Sequence, residues 1–336
     1  MTQIVFLAEA PAVHIERVYP EDLKQQIRKV GRLYPEPVGR HNFKDPEVAA
    51  VLREAEFAFS TWGMPVFSEA EIRESMPMLK AVLYGAGTVQ GFARPFLACG
   101  VQVASAWVAN GVPVAQYTLA QILLANKGFY QSMSLAKADR MRAGQYSGTF
   151  PGNYRVRVGL LGIGAIGTMV AELLMPVGFE VLAFDPFLSE EKAERLQVRK
   201  TSLEEIFGTC QTISNHLANL PATVGILNRT HFERMLPYAT FINTGRGAQV
   251  VEPELAAALT DVPTRTAVLD VTWPEPMMPD NPLFGLPNVF LTPHIAGSSG
   301  LEVVRMGEWM VQELNRLVGG ESLRWGVTAK MLETMA

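Results

Sequence analysis

Between residues 155 and 292 the chain alternates short apolar, β-branched runs with stretches whose apolar residues recur at helical spacing. The runs cover 155–162, 180–185, 212–216, 239–243, 266–270 and 288–292, with helical patterns over 165–177, 189–196, 230–235 and 252–259. Strands separated mostly by helices predict a parallel, doubly wound α/β sheet, buried on both faces by its crossover helices. Residues 1 to about 106 alternate more loosely. Apolar runs at 4–8, 57–60, 81–84 and 101–106 lie among helix-compatible stretches such as 20–30 and 68–76, which predicts a smaller α/β domain.

A helix is predicted over 114–128, where Tyr117, Ile122, Leu123 and Leu124 lie among few charges, so it is buried or at an interface. A second helix is predicted over 130–143, and the composition of 144–153 (GQYSGTFPGN) predicts a loop. After Gly297 a helix is expected over 299–318, with Val303, Met306, Met310, Leu314 and Leu317 on one face. A helix of that length can return to the first domain. The expected organisation is a discontinuous domain of residues 1–106 with 299–336, and a second domain of 107–298. No internal repeat or low-complexity segment interrupts it.

With 336 residues and 48% hydrophobic content the chain can bury a large core, which excludes global disorder. A net charge of −4, without any Lys/Arg cluster, gives no footprint for nucleic acid or an anionic membrane. No apolar run approaches the ~20 residues of a membrane helix. The run at 4–8 lacks a basic segment before it and reads as a first strand, not a signal peptide. Two cysteines, Cys99 and Cys210, without a CxxC, predict neither a disulfide framework nor a zinc site, so no metal is expected and the expected compartment is the cytoplasm.

The segment GIGAIG places Gly162, Gly164 and Gly167 where a strand gives way to a helix. Such glycines allow a tight turn, a close backbone approach to a pyrophosphate, and tight helix–strand packing. The next strand ends at Asp185, whose carboxylate can accept from both adenosine ribose hydroxyls and would repel a 2′-phosphate. Pro186 and Phe187 follow, leaving no adjacent arginine for that phosphate, so NAD is favoured over NADP. The plainer reading of Asp185 is a turn cap.

Ligands of open α/β sheets bind at the carboxyl ends of the strands. The residues just past those ends are Asp185, His216, Arg246, Asp270 and His294, with Glu275 close behind Asp270. Arg246 (in FINTGRG) suits bidentate binding of a carboxylate. His294 (in LTPHIAG) can exchange a proton near neutral pH. Glu275 (in LDVTWPEP) can fix an imidazole and favour its charged form. Taken singly, each is as readily a salt-bridged, packed or solvated loop residue.

In combination and order, the motifs GIGAIG, AFDP, HLANLPAT, FINTGRG, LDVTWPEP and LTPHIAG resemble those of the D-isomer-specific, NAD-dependent 2-hydroxyacid dehydrogenases. The resemblance implies a Rossmann-type domain with a smaller flavodoxin-like substrate domain, a cleft that closes over substrate, and hydride transfer between NAD(H) and a 2-keto or 2-hydroxy acid. It places the family's catalytic arginine on Arg246, its glutamate on Glu275 and its acid/base histidine on His294. It extends the cofactor site to Ala165, Ile166, His216, Leu217, Thr223, Thr244, Gly245, Asp270 and Gly297. The loop holding the substrate carboxylate falls on 85–87, with Ala86 and Gly87 joining Arg246 and His294 at the substrate. It also implies a homodimer joined through the cofactor domains, which the apolar helix near 114–128 fits.

Departures from the family pattern stand at Val89, Gln116 and Ala218, and they bear on the substrate loop rather than the triad. Trp62 and Trp273 are candidates for the pocket wall, with core or rim packing the plainer role. Phosphoglycerate dehydrogenases often carry a C-terminal regulatory domain, which is not expected after the last helix here. A second class of function, an NAD(H)-sensing, co-repressor-like protein on the same scaffold, would keep the same motifs.

Overall fold

Every residue of β1 (Gln3–Leu7) is buried, as suits a strand covered by helices on both faces. The structure, a computed structural model, describes residues 1–333. β1 pairs in parallel with β2 (Arg32–Leu33) and β3 (Ala55–Ser60), and β4 (Ala81–Tyr84) and β5 (Gln102–Ser105) continue the sheet in the order β2-β1-β3-β4-β5. That order is flavodoxin-like. A two-residue strand, Gly326–Val327, adds an antiparallel edge to β5. These elements form one compact unit, residues 1–110 with the segment from Ser298 onward; residues 111–297 form the other.

The second unit holds a seven-stranded parallel sheet. In chain order its strands are β6 (Arg157–Leu161), β7 (Glu180–Phe184), β8 (Val198–Lys200), β9 (Thr212–Asn215), β10 (Thr240–Asn243), β11 (Thr266–Leu269) and β12 (Val289–Leu291). They lie in the order β12-β11-β10-β9-β6-β7-β8, the Rossmann arrangement with one further strand. Side chains alternate between two cores. Phe241 and Ala267 pack with Phe207 and Phe232 on one face, while Ile242 and Val268 pack with Val158, Val170 and Leu174 on the other.

The six strands read from the sequence miss β8. Its three residues, Val-Arg-Lys, bury only Val198, and charge along an exposed edge discourages pairing with another chain. The helix predicted over 130–143 is two helices, Phe129–Ala138 and Arg140–Ser147, so residues 144–147 of the expected loop are helical. Asp139 divides them, ending the first and capping the second by accepting from Arg142 N at 3.0 Å. The helix predicted to start at 114 begins at Trp107 and carries Pro113 inside it. Buried Ala109, Val114, Ala115 and Ile122 along its length show packing overriding the ~3 kcal/mol proline penalty. Helices Pro46–Glu54, Ala93–Ala98 and Leu203–Thr209 lie beyond the elements read from the sequence. Among the described residues no helix is long and apolar enough to cross a membrane.

Candidate active site

Strand order in the second unit reverses between β6 and β9, which brings the turn after Leu161 against the loop after Asn215. Gly162 has φ +89°, and a Cβ there would lie 2.7 Å from the His216 carbonyl oxygen and 2.9 Å from the Leu217 nitrogen. A Cβ on Gly167 would lie 2.0 Å from the Gly162 oxygen. Both positions therefore need glycine, one for conformation and contact, the other for contact alone. Gly164 caps helix Ala165–Leu174 without any side-chain cap, and a Cβ there would meet nothing within 4 Å. An uncapped helix N-terminus beside open space fits a pyrophosphate, so the residues present suit a dinucleotide.

Asp185 stands just past β7. Its Oδ2 accepts from Ile163 N at 2.7 Å and its Oδ1 from Phe187 N at 2.8 Å. Each oxygen is oriented by a backbone amide and keeps lone pairs for a ribose hydroxyl. One cation at this end went unread in the sequence: Lys192 Nζ donates to the Ile163 carbonyl at 2.7 Å. It lies seven residues past Asp185 on helix Glu190–Arg195, too far along the chain for an adjacency argument.

His216 pairs with Ser214 Oγ at 3.0 Å through Nε2 and with Thr244 Oγ1 at 3.5 Å through Nδ1, and Thr244 reaches Thr118 Oγ1 at 3.2 Å. Desolvation of the ring pushes its pKa down from 6.5 to about 3. The folded protein keeps this imidazole neutral where the unfolded chain protonates it. Between 6.5 and about 3 the unfolded state then binds more protons, and stability falls as pH falls. His216→Asn is expected to flatten the loss of denaturation free energy between pH 7.5 and 5. An unchanged slope would place the acid sensitivity elsewhere.

Three loops carry the candidate reacting groups. His294 Nδ1 lies 2.7 Å from Glu275 Oε1, and both side chains are partly open, 46% and 41% exposed. A carboxylate at Nδ1 takes that N–H and leaves Nε2 as the nitrogen that exchanges a proton. Arg246, half-buried after β10, donates from Nη1 to the Gly245 carbonyl at 2.8 Å. Burial lowers the guanidinium pKa and the Glu275 carboxylate works against that, which puts the two groups within electrostatic reach. Arg246, Glu275 and His294 thus share one edge of the sheet.

Asp270, 2% exposed, organises the histidine loop. Its Oδ1 accepts from Thr292 Oγ1 at 2.6 Å and Ile295 N at 2.8 Å, its Oδ2 from Ala296 N at 2.9 Å, and its carbonyl from His294 N at 3.0 Å. His294 has φ +55°, a left-handed conformation that this clamp over-determines. Glu252 does the same for the glutamate loop. It accepts from Trp273 N at 2.7 Å and Asn281 Nδ2 at 2.5 Å, and burial raises its pKa.

Thr223 turns inward, its Oγ1 donating to the Ala218 carbonyl at 2.6 Å, so it shapes the 217–223 loop. Ala165 is exposed and Ile166 half-buried in the first helical turn, and Gly297 is the last residue of the second unit. In the first unit, Ala86 and Gly87 follow β4. Ser105 Oγ donates to their carbonyls at 2.9 and 2.6 Å, and Thr61 Oγ1 to the Gly85 carbonyl at 2.9 Å. Trp62 packs half-buried against that unit's core, whereas Trp273 is 65% exposed. Among the described residues no cluster of His, Cys, Asp or Glu could hold a metal ion.

Residues 119–296 match the family model for the D-isomer specific 2-hydroxyacid dehydrogenase, NAD binding domain. D-3-phosphoglycerate dehydrogenase of Mycobacterium bovis is 31% identical over 254 residues, which is 75% of this chain and 48% of that protein. The chain thus spans about half the length of the curated relatives it matches. A phosphoglycerate oxidoreductase from Rhizobium etli superposes with TM-score 0.81 at 18% identity, covering 99% of this chain and 100% of that one. The NAD-complexed D-isomer specific 2-hydroxyacid dehydrogenase of Lactobacillus delbrueckii ssp. bulgaricus superposes with TM-score 0.76 at 18% identity, covering 97% and 100%.

Proposed function

Since the chain belongs to the D-isomer-specific 2-hydroxyacid dehydrogenase family, with NAD as its cofactor, we propose that it is a 2-keto acid reductase / D-2-hydroxyacid dehydrogenase. The observation that carries this reading is the 2.7 Å pairing of His294 with Glu275 at the edge shared with Arg246. When bound, NADH supplies the hydride for C2 of the keto acid. Arg246 grips the substrate carboxylate and stabilises negative charge growing on the C2 oxygen. His294, charged and held by Glu275, donates the Nε2 proton to that oxygen, and takes one back in the reverse direction.

On this reading the dinucleotide lies with its pyrophosphate at the 164–167 helix start and its adenosine ribose on Asp185. The protein works as a cytoplasmic homodimer, a role supported by the exposed apolar side chains of Leu124, Phe129, Met133 and Met141. The deciding experiment follows NADH oxidation with glyoxylate, pyruvate, hydroxypyruvate and longer 2-keto acids, and NAD reduction with D-3-phosphoglycerate. No turnover with any of them, despite tight NADH binding, would favour the NAD(H) sensor.

Asp185→Ala is expected to raise the NADPH:NADH ratio of kcat/KM by about tenfold, because removing the carboxylate removes a like-charge penalty of ~1.4 kcal/mol against the 2′-phosphate. Lys192 remains beside the glycine turn as the cation that phosphate would meet. A ratio that does not move would take Asp185 off the ribose.

A further inference from the structure

Three buried amide side chains lie under the two loops that frame the site. Asn215 ends β9, Asn243 ends β10, and Gln249 closes the turn Gly247–Gln249; they are 0%, 1% and 0% exposed. Gln249 uses its whole hydrogen-bonding capacity. Its Oε1 accepts from Asn215 Nδ2 at 2.6 Å and from Arg246 N at 3.3 Å, and its Nε2 donates to the carbonyls of Leu217 at 2.8 Å and Ala218 at 2.9 Å. Because two of its partners are carbonyls, the orientation of the amide is determined. Asn243 completes the frame, accepting at Oδ1 from Asn215 Nδ2 and Gly245 N, both at 3.0 Å, and donating from Nδ2 to the Arg246 carbonyl at 3.2 Å.

The peptide N–H and C=O of Arg246 are therefore both held by this network. So is the 217–218 loop, which lies against the glycine turn at Gly162. We propose that Gln249 is a positioning residue: one buried amide fixes the Arg246 backbone and the cofactor-side loop in a single frame, so the guanidinium is set relative to the bound dinucleotide. A core filler of similar volume would pack equally well but would take a hydrogen-bond partner from the Leu217 and Ala218 carbonyls, from Asn215 Nδ2 and from Arg246 N. A network with every member satisfied specifies one arrangement, which is the property a substrate-gripping arginine needs. The catalytic half of this inference rests on the proposed reductase activity, and the cofactor half does not.

The test uses the full chain carrying Q249M, close to isosteric and apolar, and Q249E, which keeps Oε1 but turns a second oxygen toward the Leu217 and Ala218 carbonyls. In both, the NADH dissociation constant from fluorescence titration is expected to rise about tenfold. For Q249M, kcat/KM for the best keto acid is expected to fall about 10²-fold in the wild-type background and less than about threefold in the R246K background, the mark of two residues acting as a unit. Losses that multiply independently, or a lowered Tm with NADH binding and kcat/KM unchanged, would overturn the proposal. If the wild-type chain reduces no 2-keto acid, the activity reading fails. The NADH measurement then decides alone, and a Kd within about twofold of wild type refutes Gln249's role. Should Q249M fail to fold, Q249E carries the same readouts.

Discussion

His294→Ala is expected to lower kcat by about 10²-fold or more and to leave the NADH dissociation constant within about threefold of wild type. The magnitude is that of general acid–base catalysis, ~3 kcal/mol or more of transition-state stabilisation. The selectivity follows from how the loop is held. Thr292, Ile295 and Ala296 are tied to the Asp270 carboxylate and His294 N to the Asp270 carbonyl, so none of those bonds uses the imidazole. Truncating the ring removes a proton carrier without releasing its loop. The φ of +55° strains histidine and alanine alike, since both carry a Cβ, so only a small drop in Tm accompanies the kinetic loss. Glu275→Gln is expected to lose less, because an amide oxygen still accepts from Nδ1 and keeps Nε2 as the exchanging nitrogen. Steady-state kinetics with NADH titration check both, and an unchanged kcat in the alanine variant would remove His294 from the chemistry.

The doubly wound sheet was readable because its strands are buried on both faces and so appear as apolar runs, as in Val-Gly-Leu-Leu of β6. β8 escaped because an edge strand of Val-Arg-Lys carries no such run. The start of helix Trp107–Ala125 escaped because Pro113 reads locally as a stop, and only packing around it says otherwise. At the site the same division holds. Arg246, Glu275 and His294 could be picked out because topology puts their loops at one sheet edge, a rule that works on sequence position. The same rule raised Asp270, but the bonds by which it fastens the histidine loop cannot be read from the string. The other supporting residues could not be picked out. Gln249, Glu252 and Lys192 act through the atoms their side chains reach, which depends on neighbours 21 to 34 residues away, such as Trp273 and Asn215. Buried polar residues next to strand ends are the signal that would have raised them as candidates.

Lysine at position 246 is expected to cut kcat/KM for a 2-keto acid by about 10²–10³-fold while NADH binding holds within about threefold. Charge is formally kept, so the loss measures geometry and desolvation. Arginine presents a planar fork, one arm of which, Nη1, is anchored to the Gly245 carbonyl at 2.8 Å. A lysine ammonium at the same Cα is a point charge on a flexible stem and cannot span two carboxylate oxygens while meeting the charge growing on the C2 oxygen. Burial adds a pH signature. It lowers the pKa of the group at this position, opposed by Glu275, and an arginine tolerates that because its pKa starts so high. A lysine starts near 10.4 and meets the same penalty, so its charged form is lost as pH rises through the lowered value. The R246K variant should therefore lose kcat/KM more steeply than wild type as pH rises, compounding the geometric loss. Near-normal kcat/KM at pH 7 would refute the carboxylate-gripping role. A large loss at pH 7 with a pH profile parallel to wild type would keep that role and remove the desolvation argument from it.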